Sequence, residues 1–461
     1  MKSIHLFFLV FLSFTAWTQT IHKSYIPTKF PDRVILGWNS NDAATTQSVN
    51  WRTDSTVTQA FGEIAVAEGS PDFQMKAVRT NAQTEKLNVD GKTIQYHQVH
   101  FSGLKPNTLY AYRVGDGEYW SEWFQFTTAQ NTAAPFSFLY FGDAQNDLRS
   151  MWSRTIRDAY SKLPSVDFMI HAGDLINNAN YDFQWGEWFE AGGWLNGMVP
   201  TLASPGNHEY FRDTKTNQIT LSHHWKPSFV YPQNGPKSLK ETAYFMVYQG
   251  VLFVSLDSQM ANVDSTKMNE QAQWLEELLA KNTQKWVVVF HHHPIYSTKG
   301  GRDNEEWRNK MEPIYKKYKV DLVLQGHDHT YGRGLNMPLG TSRKYPDGPI
   351  YVVSVSGPKM YDIGLQDWMD RAASNVQLYQ LISIDNNKLT YKAYEATGKL
   401  YDAFDLTKDK KGKNKLKNYD ESLPAEQLDL PAGGREKLTT DQLKLYESRF
   451  EQYMKRKNGG K

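Results

Sequence analysis

From about residue 25 to 129, apolar and polar positions alternate in short runs broken by turn residues. A period of two is the mark of a half-buried strand, and strands this short and closely spaced predict an antiparallel sandwich. The runs at 33–38, 47–52, 95–101, 109–114 and 123–127 are its clearest strands, with Asp90-Gly91 as a hairpin turn.

After a polar linker at 129–135 the period changes. Apolar runs at 139–141, 166–170, 200–203, 287–290 and 322–324 now alternate with stretches of helical spacing. Leu148, Trp152, Ile156, Ala159 and Leu163 form one such stripe; Trp185, Trp188 and Phe189 a second; Trp274, Leu275, Leu278 and Leu279 a third. These read as core-facing helix stripes. The expected architecture is an N-terminal all-β sandwich over 21–130, then a layered α/β domain over 131–407 with its β-sheets flanked by helices. Residues 350–355 and the strands between 378 and 404 close that domain. Beyond Thr407 six lysines crowd into 408–417, which predicts a charged linker through 408–434. A Thr439-x-x-Gln442 capping box then opens a C-terminal helix with Leu443, Tyr446, Phe450, Tyr453 and Met454 on one face.

Composition narrows the function classes. With 40% hydrophobic residues and 14% aromatics, the 461-residue chain can fill two large cores. A net charge of +2 gives no reason to expect a nucleic acid duplex as partner. Cysteine is absent, which removes disulfides, thiolate metal ligands and a lipid-modified N-terminal cysteine. Lys2 followed by the apolar stretch 4–17 predicts a signal peptide over 1–20, and with it a secreted, periplasmic or cell-envelope protein. Once that segment is removed, no stretch is long enough to cross a bilayer.

The candidate chemistry stands where the apolar runs stop. They end in Gly142-Asp143, Gly173-Asp174, Gly206-Asn207-His208-Glu209, His291-His292-His293-Pro294 and Gly326-His327-Asp328-His329. Ligands of open α/β sheets bind beyond the carboxyl ends of the strands. Carboxylate, amide and imidazole groups delivered there suit hard or borderline cations, and one shared aspartate can bridge two ions. Alternation along 287–293 turns His291 away from such a site.

This order of motifs resembles the calcineurin-type metallophosphoesterases. Residues 103–110 resemble the tyrosine corner of fibronectin type III domains. Together, over 25–405, the chain most resembles the purple acid phosphatases and their bacterial relatives. The resemblance implies two metal ions (iron, zinc or manganese), with Asp174 as the bridge. Asp143 and His329 would hold the first ion; Asn207, His292 and His327 would hold the second. His292 is chosen because His292-His293-Pro294 supplies the family's His-x-Pro. His208 would contact the phosphate or protonate the leaving oxygen, and Glu209 would orient it. The implied activity is hydrolysis of a small-molecule phosphate ester by a metal-activated hydroxide. The alternatives are a diesterase acting on nucleotide or lipid-headgroup esters, and a non-catalytic cell-envelope binding protein.

Three positions depart from the family pattern. Asn177 stands where the purple enzymes have their metal-binding tyrosine, and Gln145 where the wider superfamily has a histidine. Either amide is a candidate oxygen ligand, and the lost phenolate implies a colourless protein. Gly301 and Arg302 replace a substrate-binding histidine pair. That leaves the loop 299–302, with Arg302, and Tyr331 of the His-x-His-x-Tyr-x-Arg ending as candidate substrate contacts.

Overall fold

The computed structural model describes residues 25–89, 91–337, 342–431 and 434–459; the expected signal peptide at 1–20 lies outside them. Two four-stranded antiparallel sheets form the N-terminal sandwich. The strands Asp32–Gly37, Gln47–Asp54, Lys92–Phe101 and Gln83–Val89 make one; Val78–Asn81, Phe61–Val66, Leu109–Gly115 and Phe124–Thr127 make the other. Val49, Trp51, Val99, Phe101 and Tyr112 fill the space between them. Val89 pairs with Lys92 across the expected hairpin turn, whose Asp90 is outside the described residues. The Tyr110 hydroxyl accepts the Lys105 N–H at 2.8 Å, which is the tyrosine-corner bond.

The sandwich is tied to the second domain by charge. Arg33 and Arg52 both reach Asp182, at 2.8 and 3.2 Å, and His224 approaches it at 3.1 Å. Burial would raise the Asp182 carboxyl, but His224 and the two guanidiniums hold it below the usual carboxylate range.

Two seven-stranded sheets make up the second domain. In the first, Phe136–Phe141, Phe168–Ala172 and Thr201–Ser204 run parallel, and Leu378–Asp385 pairs antiparallel beside them. In the second, Val251–Ser255, Trp286–Phe290, Leu322–Gln325 and Ile350–Val353 run parallel. Alternation sets the layers. Phe253, Val288, Phe290 and Leu324 face the first sheet, where the rings of Phe138 and Phe168 stack with centroids 5.1 Å apart. Val254, Val287, Val289 and Val323 point the other way, onto the helices Ser265–Ala280 and Glu305–Lys317.

The first part of the segment expected as a charged linker belongs instead to the first sheet. Lys408 ends the strand Leu400–Lys408, and Asn414–Asn418 pairs with it as the sheet edge. Lysines along an edge discourage pairing with another chain, which accounts for the run without a binding partner. Lys408 also reaches the buried Asp321 carboxylate at 2.7 Å. The C-terminal helix Thr440–Gly459 docks Tyr453 into the outer core. Its capping box closes as expected: Gln442 N–H donates to the Thr439 hydroxyl and Thr439 N–H to the Gln442 side chain.

One core histidine makes stability sensitive to acid. His171 lies on the outer face of the first sheet, stacked on Phe141 at 5.2 Å and edge-on to Trp152 and Trp188. Neither ring nitrogen has a hydrogen-bond partner among the described residues, and burial pushes its pKa down to about 3. The unfolded chain therefore takes up this proton near pH 6.5 while the folded chain does not. Stability is complete above that pH and falls on acidification, by about 2 kcal/mol at pH 5 from this group. His171→Phe keeps the ring contacts and should flatten the loss. Urea unfolding near pH 7.5 and pH 5 checks this; an equal acid loss in both proteins would refute it.

Candidate metal centre

The parallel strands of both sheets end at one place. Asp143 follows Phe136–Phe141, and its backbone accepts from Gly357 N at 2.7 Å, which joins the two sheets just above the centre. Four of the expected donors are locked by the backbone of a loop other than their own. Asp143 Oδ1 accepts the His327 N–H at 2.7 Å, and Asp174 Oδ1 accepts the His208 N–H at 2.9 Å. His292 Nδ1 donates to Ala172 O at 2.8 Å and His329 Nδ1 to Lys359 O at 2.9 Å. Those bonds fix the tautomers and leave both Nε2 atoms facing inward.

Glycine lets the loops approach this closely. A Cβ on Gly326 would lie 2.1 Å from Asp143 Oδ1, and one on Gly206 2.2 Å from Asp174 Oδ1. Asp174, His327 and His329 themselves sit at positive φ, 51°, 78° and 49°. Three non-glycine residues in that region are costly and persist only where the surroundings over-determine them, as functional sites do.

The donors fall into two overlapping groups. Asp174, His292 and His327 have ligand atoms within 4.8 Å of one another, and so do Asp143, Asp174 and His329. Asp174 belongs to both. Asn207 Oδ1 joins the first group, 3.2 Å from His292 Nε2. Gln145 lies against the second, its amide nitrogen 2.8 Å from Asp174 Oδ2 and 3.1 Å from His329 Nε2. The two ends of an amide are interchangeable by rotation, so its oxygen can occupy that place.

Electrostatics also favours cations here. Burial pushes Asp143 up to about 7, and burial with the neighbouring Asp174 pushes Glu209 up to about 7. Burial opposes charge on His292, yet Asp174 and Asp143 outweigh it and lift the imidazole to about 9. Asp143 Oδ2 and Gln145 Oε1 are buried with no hydrogen-bond partner among the described residues. Three buried carboxylates, one imidazole drawn toward protonation and two orphaned oxygens fit a site built for positive ions.

Comparison with known proteins agrees with this geometry. Residues 136–331 match the calcineurin-like phosphoesterase family, and residues 31–128 match the purple acid phosphatase N-terminal domain. The chain carries a calcineurin-like phosphoesterase domain behind a purple acid phosphatase N-terminal domain. It is 29% identical to probable purple acid phosphatase 20 of Arabidopsis thaliana, across 70% of this chain and 73% of the relative. Acid phosphatase type 7 of Danio rerio is 23% identical, across 86% of this chain and 92% of its own. A purple acid phosphatase from yellow lupin seeds shares the fold, with a TM-score of 0.68 at 19% identity over 83% of this chain and 75% of that one. Domain and relatives together indicate a phosphoric ester hydrolase.

Within this phosphoesterase domain, several expected residues take different parts. Glu209 does not orient His208: its carboxylate accepts from the backbone of Asp174, Leu175 and Gly206 at 2.7–2.8 Å and so holds the Asp174 turn. It is Asn177 that orients His208, through its carbonyl, 2.6 Å from His208 Nδ1. Tyr331 is no substrate contact. It is fully buried, its hydroxyl 2.5 Å from Asp402, because alternation along Tyr331–Gly334 points it into the core between the sheets. Arg302 is at the rim, where it donates to Asp328 at 2.9 Å and to the His327 carbonyl at 3.0 Å. His291 faces away as expected, packed edge-on to Trp307 at 5.2 Å. Two rim residues escaped sequence reasoning. Lys359 and Tyr361 sit in the loop after Ile350–Val353, and Tyr361 packs on His329 at 4.6 Å. That loop is also a strand end, but it holds no Gly-Asp or histidine motif to draw notice.

Proposed function

We propose that the protein is an exported, two-metal phosphoesterase that hydrolyses small-molecule phosphate esters, with monoesters ahead of diesters. The observation that carries this reading is the pair of donor groups that share Asp174. Asp143, His329 and Gln145 would hold one ion, and Asn207, His292 and His327 the other, with Asp174 between them. When bound, such a pair supplies Lewis acidity toward the phosphoryl oxygens and an acidified water as nucleophile. Neither donor group contains a phenolate, which supports a colourless protein.

His208 is the residue best placed to act on the ester itself. Its Nδ1 is engaged by Asn177 O, its side chain is a quarter exposed, and its Nε2 lies 4.0 Å from Asp174 Oδ2. An imidazole held this way presents Nε2 to the phosphate and can hand a proton to the leaving oxygen. Glu209 keeps the 174–176 backbone rigid beneath it, and Arg302 adds positive charge at the opposite rim. Export rests on the basic and apolar start of the chain; among the described residues no helix is long and apolar enough to cross a membrane.

The reading predicts chelator-sensitive turnover of p-nitrophenyl phosphate, faster than that of bis-p-nitrophenyl phosphate. Metal-loaded protein inert toward both would overturn it. His208→Ala should retain its metal and lose about a hundredfold in kcat. Elemental analysis beside the kinetics checks the assignment; release of metal from this variant would make His208 a ligand instead.

A further inference from the structure

Building on the proposed phosphoesterase reading, we infer that Lys299, Arg302 and Lys359, gathered around Tyr361, form a second anion subsite that selects phosphate esters carrying another anionic group. Two loops supply it. Lys299 and Arg302 come from the turn before Glu305–Lys317, and Lys359 and Tyr361 from the turn after Ile350–Val353. The Lys299–Ile363 bridge and the Gly364 N–H to Thr298 O bond at 2.6 Å tie the loops together.

Three cations share one ring. Lys299 Nζ, Lys359 Nζ and the Arg302 guanidinium lie 4.5, 5.5 and 5.6 Å from the centroid of Tyr361. The same ring packs edge-on against His329, so the cluster abuts the metal donors. Like charges held this close repel, and an aromatic face offsets only part of that. The nearby acids do not neutralise the lysines. Asp328 is spent on Arg302 and on the backbone of Thr298 and Lys299. Asp362 lies near Gly300, with Arg449 on the same side, and neither lysine forms an ion pair among the described residues.

Both lysines are half-buried, and each ammonium has donors to spare after its contact with the ring. A phosphate or carboxylate bound there would be held by charge-assisted hydrogen bonds while the scissile phosphate sits on the donors of the centre. The substrate class is therefore a phosphate monoester with a second phosphate or a carboxylate a few ångströms from the ester oxygen.

The test compares phenyl phosphate, 4-carboxyphenyl phosphate and fructose 1,6-bisphosphate with glucose 6-phosphate, using metal-loaded wild type, Lys299→Gln, Lys359→Gln and the double variant. Wild type should favour the doubly anionic member of each pair by about tenfold or more in kcat/KM, mostly through KM, and added salt should shrink the preference. The double variant should lose at least most of that ratio. The carboxylate and bisphosphate arms show which anion is preferred. A ratio near one in wild type, or an unchanged ratio in the double variant, overturns the subsite while the phosphoesterase reading stands. No hydrolysis of any ester overturns both.

Discussion

Asp174→Asn should cost at least about a thousandfold in phosphatase activity and most of the bound metal, because it removes the one charge common to both donor groups. The substitution is a clean one. Asparagine is isosteric, it tolerates the left-handed backbone at φ 51°, and its Oδ1 can still accept the His208 N–H. The fold should therefore persist, with only the bridging charge removed. The other oxygen position, 2.8 Å from the Gln145 amide nitrogen, would become a donor facing a donor. Metal stoichiometry by elemental analysis, read beside kcat on p-nitrophenyl phosphate, is the measurement. A variant that kept a full metal complement and its turnover would show that Asp174 is not shared between ions.

Arg333→Met should be the most damaging single change to stability, at about 3–5 kcal/mol. Arg333 is fully buried beneath the centre, bonded to Asp402 through Nε at 2.7 Å and Nη2 at 3.0 Å, with Asp420 at 2.9 Å. Burial would raise the Asp402 carboxyl, and Arg333 with Tyr331 holds it below the usual range. Without the guanidinium, Asp402 keeps the Tyr331 hydroxyl but has only the more distant Arg371, at 3.7 Å, as a cation, and its pKa must rise. The sign follows. Wild-type stability from this pair is present above the unfolded carboxylate pKa and lost as pH falls through the depressed folded value. The variant's deficit should therefore be larger near pH 8 than near pH 5, where its stranded carboxylate can take up a proton. Denaturant midpoints at the two pH values test this, and Arg333→Met with Asp402→Leu should recover much of the loss. A deficit that does not change with pH would mean packing, not charge, is what Arg333 supplies.

Much of the centre was legible because its parts are local. An apolar run that stops on glycine and a carboxylate can be read within six residues, and each such run proved to be a parallel strand aimed at one edge. Alternation alone turned His291 away from the site, and the resemblance of 103–110 to a tyrosine corner foretold that Tyr110 bonds back to an upstream backbone group, which proves to be Lys105 N–H. The exceptions are residues whose neighbours lie far along the chain. Tyr331 looked like a rim residue by its motif, yet its partner Asp402 is 71 positions on. Glu209 serves a turn 34 residues earlier. The lysine run read as solvated because nothing local announces that 414–418 will find the edge of a sheet.

The amino-acid order by itself determined the periods, the turns and which candidate donors stand at strand ends, since hydrophobic spacing and glycine placement act over a few residues. Only the tertiary structure decided which loops meet: sheet order brings residues 299–302 and 359–361 around one tyrosine. The strand Ile350–Val353 lies beside Leu322–Gln325, and that long-range pairing, not any short pattern, places Lys359 against His329.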